Sequence, residues 1–219
     1  MQLNDTYRHK GLRRQLIDEL KAKGIKDEKV LEAMSSLPRH FFLDTAFEEW
    51  AYMDKAFPIG NDQTISQPYT VAYMTTLLAV KQGENILEIG TGSGYQAAIL
   101  ALLGAKVYTV ERQEHLYKRT KRLLERLDLS NIKCFFKDGT NGLPEYAPFH
   151  KIIVTAGIPA VPEALRQQLA IGGILIIPVG KDEGQRMLKI VRHNTNEFET
   201  IENDTFRFVP FLKGVNKHK

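Results

Sequence analysis

The chain has 219 residues, with 30 Lys plus Arg against 26 Asp plus Glu, for a formal net charge of +4. That length suits one α/β unit with a sizeable core, and so mild a basic excess gives no ground for a nucleic-acid partner. No apolar run approaches the roughly 20 residues that span a bilayer, and the polar N-terminus lacks a signal-peptide core, so the expectation is a cytoplasmic protein, monomeric and without a membrane partner.

Residues 8–23 read as a helix, with Leu12, Leu16 and Leu20 spaced four apart. Asp27 is placed to cap a second helix that buries Val30, Leu31 and Met34 and stops before Pro38. Residues 58–67 read as a loop. Pro68 suits the first turn of a helix running to about Val80. From Asn85 strands and helices alternate: strands over 85–89, 106–110, 132–136, 151–155 and 173–179, helices over 96–103, 114–128 and 161–170. Later strands are expected at 187–191 and 206–210. The unbroken apolar run at 173–179 fits a sheet covered on both faces.

This alternation predicts a doubly wound, mostly parallel, Rossmann-like sheet with helices on both faces and a helical N-terminal segment. One domain is expected over 1–219. Residues 1–80 would hold the N-terminal helices and a substrate loop, 81–180 the cofactor-binding core, and 181–219 the last strands and a second substrate segment. Helix 114–128 carries Lys118, Arg119, Lys121, Arg122 and Arg126, but Leu116, Leu123, Leu124 and Leu127 give it an apolar face. The charges therefore read as a solvated face. The lone Cys134 reads as a small core residue. The six histidines are scattered with no ligand spacing, so no metal site is expected.

The run Asn85-Ile-Leu-Glu-Ile-Gly-Thr-Gly-Ser-Gly-Tyr95 is strand, tight turn and helix start, the way an α/β sheet builds a nucleotide-sized site. Tyr95 stands where the dinucleotide fingerprint needs its last glycine, which argues against a dehydrogenase. Glu88, just before the turn, suits a ligand with positive charge. S-adenosyl-L-methionine has an ammonium and a sulfonium and no phosphate, so the loop favours a methyltransferase. Glu111 falls at the end of the second strand of the series, where such sheets bind ribose hydroxyls. Asp138-Gly139 ends the third and is read either as an acceptor for an adenine amino group or as an Asp-Gly turn.

Upstream, Thr64-Ile-Ser-Gln-Pro-Tyr69 is a polar stretch entering the helix at Pro68. Its hydroxyls either cap the helix or face a ligand, and capping is slightly favoured on physical grounds alone. This stretch resembles the signature of the protein-L-isoaspartate O-methyltransferase family. So, in order, do Pro38-Arg-His-Phe-Phe-Leu43, residues 87–96, Tyr108-Thr-Val-Glu-Arg112, residues 138–142, Thr155-Ala-Gly157, Gly172-Gly173 and Phe208-Val-Pro210. The resemblance covers nearly the whole chain.

The resemblance implies transfer of a methyl group from S-adenosyl-L-methionine, leaving S-adenosyl-L-homocysteine. The acceptor would be the α-carboxylate of isoaspartyl residues in proteins and peptides. Ser66 matches the active-site serine. Ile65, Ser66, Gln67, Tyr69, Glu88, Gly90, Thr91, Gly92, Ser93, Glu111, Asp138 and Gly139 match cofactor contacts. Thr64, Ser66, Ala156, Gly157, Val209 and Pro210 match substrate contacts. Gln67 and Tyr69 depart from the Ala and His of some members, and Phe211 from the Leu of many. The α-carboxylate, with a pKa near 3.5, is already ionised, so no general base is implied. Ser66 would orient it by hydrogen bond.

Overall fold

The computed structural model describes residues 3–180 and 184–217. Two helices come first, α1 (Tyr7–Ala22) and α2 (Glu28–Ser36). Thr6 starts α1 with a capping box: its hydroxyl accepts from the His9 N–H at 3.3 Å, and its own N–H donates to His9 Nδ1 at 3.3 Å. Asp27 starts α2 by accepting from the Lys29 and Val30 N–H groups. The helix ends before Leu37, which is extended because a proline follows it.

Residues 58–67 are not a loop. Most of them form an antiparallel hairpin, β1 (Phe57–Gly60) and β2 (Gln63–Ile65). Its turn residues Asn61 and Asp62 have φ of 53° and 55°, the signature of a type I′ turn. Asn and Asp bear that left-handed conformation at low cost. The strands are too short to show an alternating pattern in sequence. Helix α3 (Pro68–Leu78) follows, with Pro68 in its first turn.

The alternating region contains β3 (Asn85–Ile89), α4 (Tyr95–Leu102), β4 (Lys106–Glu111), α5 (Glu114–Arg126), β5 (Ile132–Phe136), β6 (Phe149–Val154), α6 (Glu163–Gln167) and β7 (Leu169–Val179). Two further strands, β8 (Gln185–Arg192) and β9 (Phe198–Phe206), complete a seven-stranded sheet in the order β5-β4-β3-β6-β7-β8-β9. The five strands β3 to β7 are parallel, and β8 and β9 return antiparallel. Ile86, Leu87, Ile152, Ile153, Val154, Leu175, Ile176 and Ile177 are fully buried, as expected for strands covered on both faces. Strand order reverses at β3, which has β4 on one side and β6 on the other. The crevice beyond the carboxyl ends of these strands is where such sheets bind ligands.

Two expected elements change. The helix over 161–170 is only the five residues of α6, because Leu169 already pairs with Phe149. An apolar run as short as Leu169-Ala-Ile171 does not distinguish helix from strand. Residues 206–210 are not a strand: β9 ends at Phe206, and the chain leaves the sheet toward the crevice. Pro210 lacks an N–H and makes only a single bridge, to Gly157. On α5, Leu116, Thr120 and Leu124 are buried while Lys118, Lys121, Arg122 and Arg126 are exposed, with Lys118 paired to Glu114 at 2.7 Å. Arg119 departs from the expected solvated face, being half-buried and donating to the Ile59 carbonyl at 3.3 Å. Cys134 is partly buried, and burial pushes its thiol up to about 12, so it is a protonated packing residue.

Candidate active site

The loop after β3 folds back on the sheet. Gly90 and Thr91 both donate their N–H to the Val110 carbonyl, at 2.9 and 3.1 Å. Gly90 has φ 99°, and a Cβ there would meet Thr155 Oγ1 at 2.5 Å. Both the conformation and the neighbour therefore require glycine. The Thr155 hydroxyl donates to the Gly90 carbonyl at 2.6 Å, tying the loop to the end of β6.

The two strand-end acids behave differently. Glu111 lines the crevice at the end of β4. Its Oε2 accepts the Gly92 N–H at 2.8 Å and its Oε1 the Gln113 N–H at 2.8 Å. Burial raises its pKa, and these N–H groups pull it back toward the ionised form. Glu88 has no exposed surface and does not line the crevice. Thr109 Oγ1 donates to Glu88 Oε2 at 2.5 Å, while Oε1 has no partner. Desolvation pushes Glu88 up to about 8, so at neutral pH it is largely a carboxylic acid. The expected carboxylate facing a cationic ligand is therefore not formed by Glu88. The Thr91 hydroxyl lies 2.6 Å from Thr109 Oγ1, so a chain of side chains links the buried acid to the loop.

The segment before α3 supplies the opposite wall. Asp54 starts α3 from outside: its Oδ1 accepts the Tyr69 N–H at 2.7 Å and its Oδ2 the Gln67 amide at 2.9 Å. Neither Thr64 nor Ser66 caps the helix, and the Ser66 hydroxyl makes no hydrogen bond among the described residues. Arg39 is wholly buried and holds the same segment, donating to the carbonyls of Ser66 at 2.9 Å and Ala51 at 3.0 Å. Its guanidinium lies 4.9 Å from the Tyr95 ring centre, and burial lowers its pKa to about 10.

The segment after β9 closes the site. Gly157 N–H donates to the Val209 carbonyl and Phe211 N–H to the Gly157 carbonyl, each at 2.8 Å. Asp138 Oδ1 accepts from Thr140, and Oδ2 takes the Gly214 N–H at 2.6 Å. Burial opposes ionisation of Asp138, but these bonds outweigh it and hold the carboxyl below its usual value. Arg112 Nε donates to the Gly214 carbonyl at 2.7 Å, so residues 212–216 lie as a strap across the end of β4.

These pieces enclose a cavity beyond the carboxyl ends of the strands, where such sheets bind ligands. Thr64, Ile65, Ser66, Gly90, Thr91, Gly92, Ser93, Glu111, Gly139, Ala156, Val209 and Pro210 line it. Five expected contacts lie elsewhere. Glu88 is beneath the loop, and the Asp138 carboxylate is spent on the strap. Gly157 supports the strap backbone. Gln67 faces a neighbouring groove. The Tyr69 ring packs on Tyr73 and Phe206. Sequence reasoning passed over Val71, Gln96, Arg112, Thr155 and Leu212, which also line the cavity. Gln96, Arg112 and Thr155 lie in stretches that carry the resemblance, and strand-end placement was a further signal for Thr155 and Arg112; no local motif marks Val71 or Leu212. The neighbouring groove shares Thr64, Ser66, Thr155 and Val209 with the cavity, so two compartments meet at Ser66.

Among the described residues, Asp5, His9 and His40 bring ligand-type atoms within 4.8 Å of one another, although no sequence spacing suggested a metal site. Arg13 takes both Asp5 oxygens, Glu48 lies 3.2 Å from His9 Nε2, and His40 bonds Tyr52 and the Asn4 carbonyl. A cation is already in place there as the Arg13 side chain.

A Rossmann-like sheet whose glycine loop and Glu111 line one cavity beyond the strand ends is the arrangement of an S-adenosyl-L-methionine-dependent methyltransferase. Residues 11–216 match the model of the protein-L-isoaspartate(D-aspartate) O-methyltransferase family. The chain belongs to that family. It is 56% identical over 214 residues to the protein-L-isoaspartate O-methyltransferase of Christiangramia forsetii, covering 98% of this chain and all of that relative. The Flavobacterium johnsoniae relative of the same name is 55% identical over 214 residues. A solved protein-L-isoaspartate O-methyltransferase superposes with a TM-score of 0.83 at 29% identity, over 90% of this chain and 65% of that longer one. A Plasmodium falciparum family structure in complex with S-adenosyl-L-homocysteine gives 0.82 at 26% identity, over 92% of this chain and 99% of that one.

Proposed function

We propose that this protein transfers a methyl group from S-adenosyl-L-methionine to the free α-carboxylate of L-isoaspartyl residues in damaged proteins and peptides. The methyl ester then closes to a succinimide without the enzyme, and hydrolysis returns part of it to normal aspartate. The observation that carries this reading is the meeting of two compartments at an unbonded Ser66 hydroxyl, one built for a nucleoside and one open to a chain.

The residues present fit the cofactor. Glu111 offers carboxylate lone pairs to ribose hydroxyls, and Ile89, Val110 and Leu212 give apolar walls. Arg112 is the sole cation among the described lining residues, and its guanidinium is tied to the strap, which suits a nucleoside without phosphates. Ile65, Ser66, Gly90, Thr91, Gly92, Ser93, Glu111 and Gly139 would hold it. When bound, S-adenosyl-L-methionine supplies a sulfonium-activated methyl group.

The protein's own part is alignment. An α-carboxylate with a pKa near 3.5 is ionised at neutral pH and needs no base. The Ser66 hydroxyl donates to one carboxylate oxygen and leaves the other to attack. Arg39 and Asp54 fix the backbone that carries Ser66. Val209 lines both compartments, and Pro210 and Ala156 line the cavity; together they would keep water from the in-line approach, which must close to roughly 3–3.5 Å. Thr64, at the mouth, is placed to meet the substrate backbone.

The proposal covers a monomeric cytoplasmic enzyme acting on protein and peptide chains, with no nucleic-acid or membrane partner. The mild net charge of +4 gives no ground for a nucleic-acid partner, and among the described residues no helix is long and apolar enough to cross a membrane. The decisive experiment is transfer of a labelled methyl group to a synthetic isoaspartyl peptide, with the normal aspartyl peptide as control. Label on the first alone is the expected result; equal label, or none, would overturn the proposal.

A further inference from the structure

Next to the cofactor cavity, the groove that shares Ser66 has an uneven charge. Arg207 is the single ionisable side chain among its described lining residues, and no carboxylate there answers it. Arg207 is exposed, and among the described residues it has no ion pair or hydrogen-bond partner. Its backbone is held on both sides: Phe206 ends β9, and the Phe208 N–H donates to Gln185 Oε1 at 2.8 Å. A cation without a partner among the described residues, on a held backbone beside the groove, is a docking point for an anion.

The reacting carboxylate is the wrong anion for it. That carboxylate loses its charge as the methyl group arrives. A guanidinium pair would stabilise the ground state more than the transition state and slow the transfer. Position agrees. Arg207 lies two residues before Val209, which lines both compartments, and extended chain advances about 3.3 Å per residue. The Arg207 backbone therefore lies at most about 7 Å from that of Val209, and both residues line the groove. A bound chain running through the groove would bring a neighbour of the isoaspartyl residue to it.

Resting on the reading that isoaspartyl chains are the substrate, we propose that Arg207 is a specificity-determining residue. It selects isoaspartyl sites with an acidic side chain within two residues of the damaged position. Arg207 takes no part in the chemistry; it lowers KM for acidic sequences.

The test compares isoaspartyl peptides that carry Glu or Lys one or two residues to either side. The readout is the ratio of kcat/KM for each Glu and Lys pair, which cancels any misfolded fraction. For the unsubstituted protein the ratio is expected to exceed about threefold at one position, through KM, as suits a partly exposed ion pair. It should shrink at high salt. Arg207→Lys should keep the preference and Arg207→Glu should reverse it. A ratio near one at every position, or a preference unchanged in Arg207→Glu, overturns the proposal while leaving the activity intact. Failure to methylate any isoaspartyl peptide would instead overturn the function itself.

Discussion

Asp54 Oδ1 accepts the Tyr69 N–H at 2.7 Å, and this contact decides what the Ser66 hydroxyl is for. A helix start needs an acceptor for its first N–H groups, and a nearby serine hydroxyl oxygen often accepts one. Here a carboxylate from an earlier loop meets that need. Lys23 pairs with the same Asp54 at 2.6 Å, which anchors it.

Asp54→Ala should therefore loosen the loop before α3 as well as the helix. The expected loss is about 1–2 kcal/mol of stability, with a fall in kcat larger than any change in cofactor affinity. Urea unfolding and initial rates check the two effects. A stability loss with unchanged kcat would show that Asp54 supports the helix alone.

Ser66→Ala removes the hydrogen bond to the reacting carboxylate. A bond to a charged group contributes about 1.5–3 kcal/mol, so turnover should drop about 10- to 100-fold. Cofactor affinity by calorimetry should stay near the wild-type value, because Ile65, the glycine loop and Glu111 still line the cavity. Wild-type turnover would remove Ser66 from the site.

Glu88 makes stability depend on pH. Its folded pKa of about 8 lies above the ordinary 4.5. The folded state thus holds a proton that the unfolded state releases. That contribution is complete below about 4.5 and is lost as pH rises through about 8. Glu88→Gln keeps the shape without the charge, so its Tm should gain on wild type as pH goes from 5 to 9. Parallel curves for the two proteins would mean that Glu88 is ionised in the folded state.

Asp138→Ala should free the strap. The Gly214 N–H loses its acceptor, and Thr140 loses its cap. We expect cofactor Kd to rise several-fold, on the order of 1 kcal/mol, together with faster proteolytic clipping after Phe211. A raised Kd without faster clipping would point to direct contact with the cofactor instead.

The alternation of strands and helices was readable in the chain because buried parallel strands are continuous apolar runs with glycine at their ends. The short hairpin at 57–65 was not, since four- and three-residue strands carry no period. Pro68, Gly90 and Asp27 announced their roles because each answers a local backbone demand. Arg39 and Asp54 did not. Their partners, Ser66 and Tyr69, lie across a loop, and nothing local distinguishes a buried arginine from a solvated one.

Glu88 and Glu111 mark the same division. By itself the sequence determined the fold class, the glycine turn, the family and the two strand-end acids. Which acid faces the cavity was a matter for the tertiary structure. Register sets Glu88 beside Thr109, where it is sealed and its charge suppressed by desolvation. Glu111 ends its strand at the crevice, where burial still raises its pKa but the Gln113 and Gly92 N–H groups work against that rise. Composition names a carboxyl group; only its surroundings decide whether it is a carboxylate.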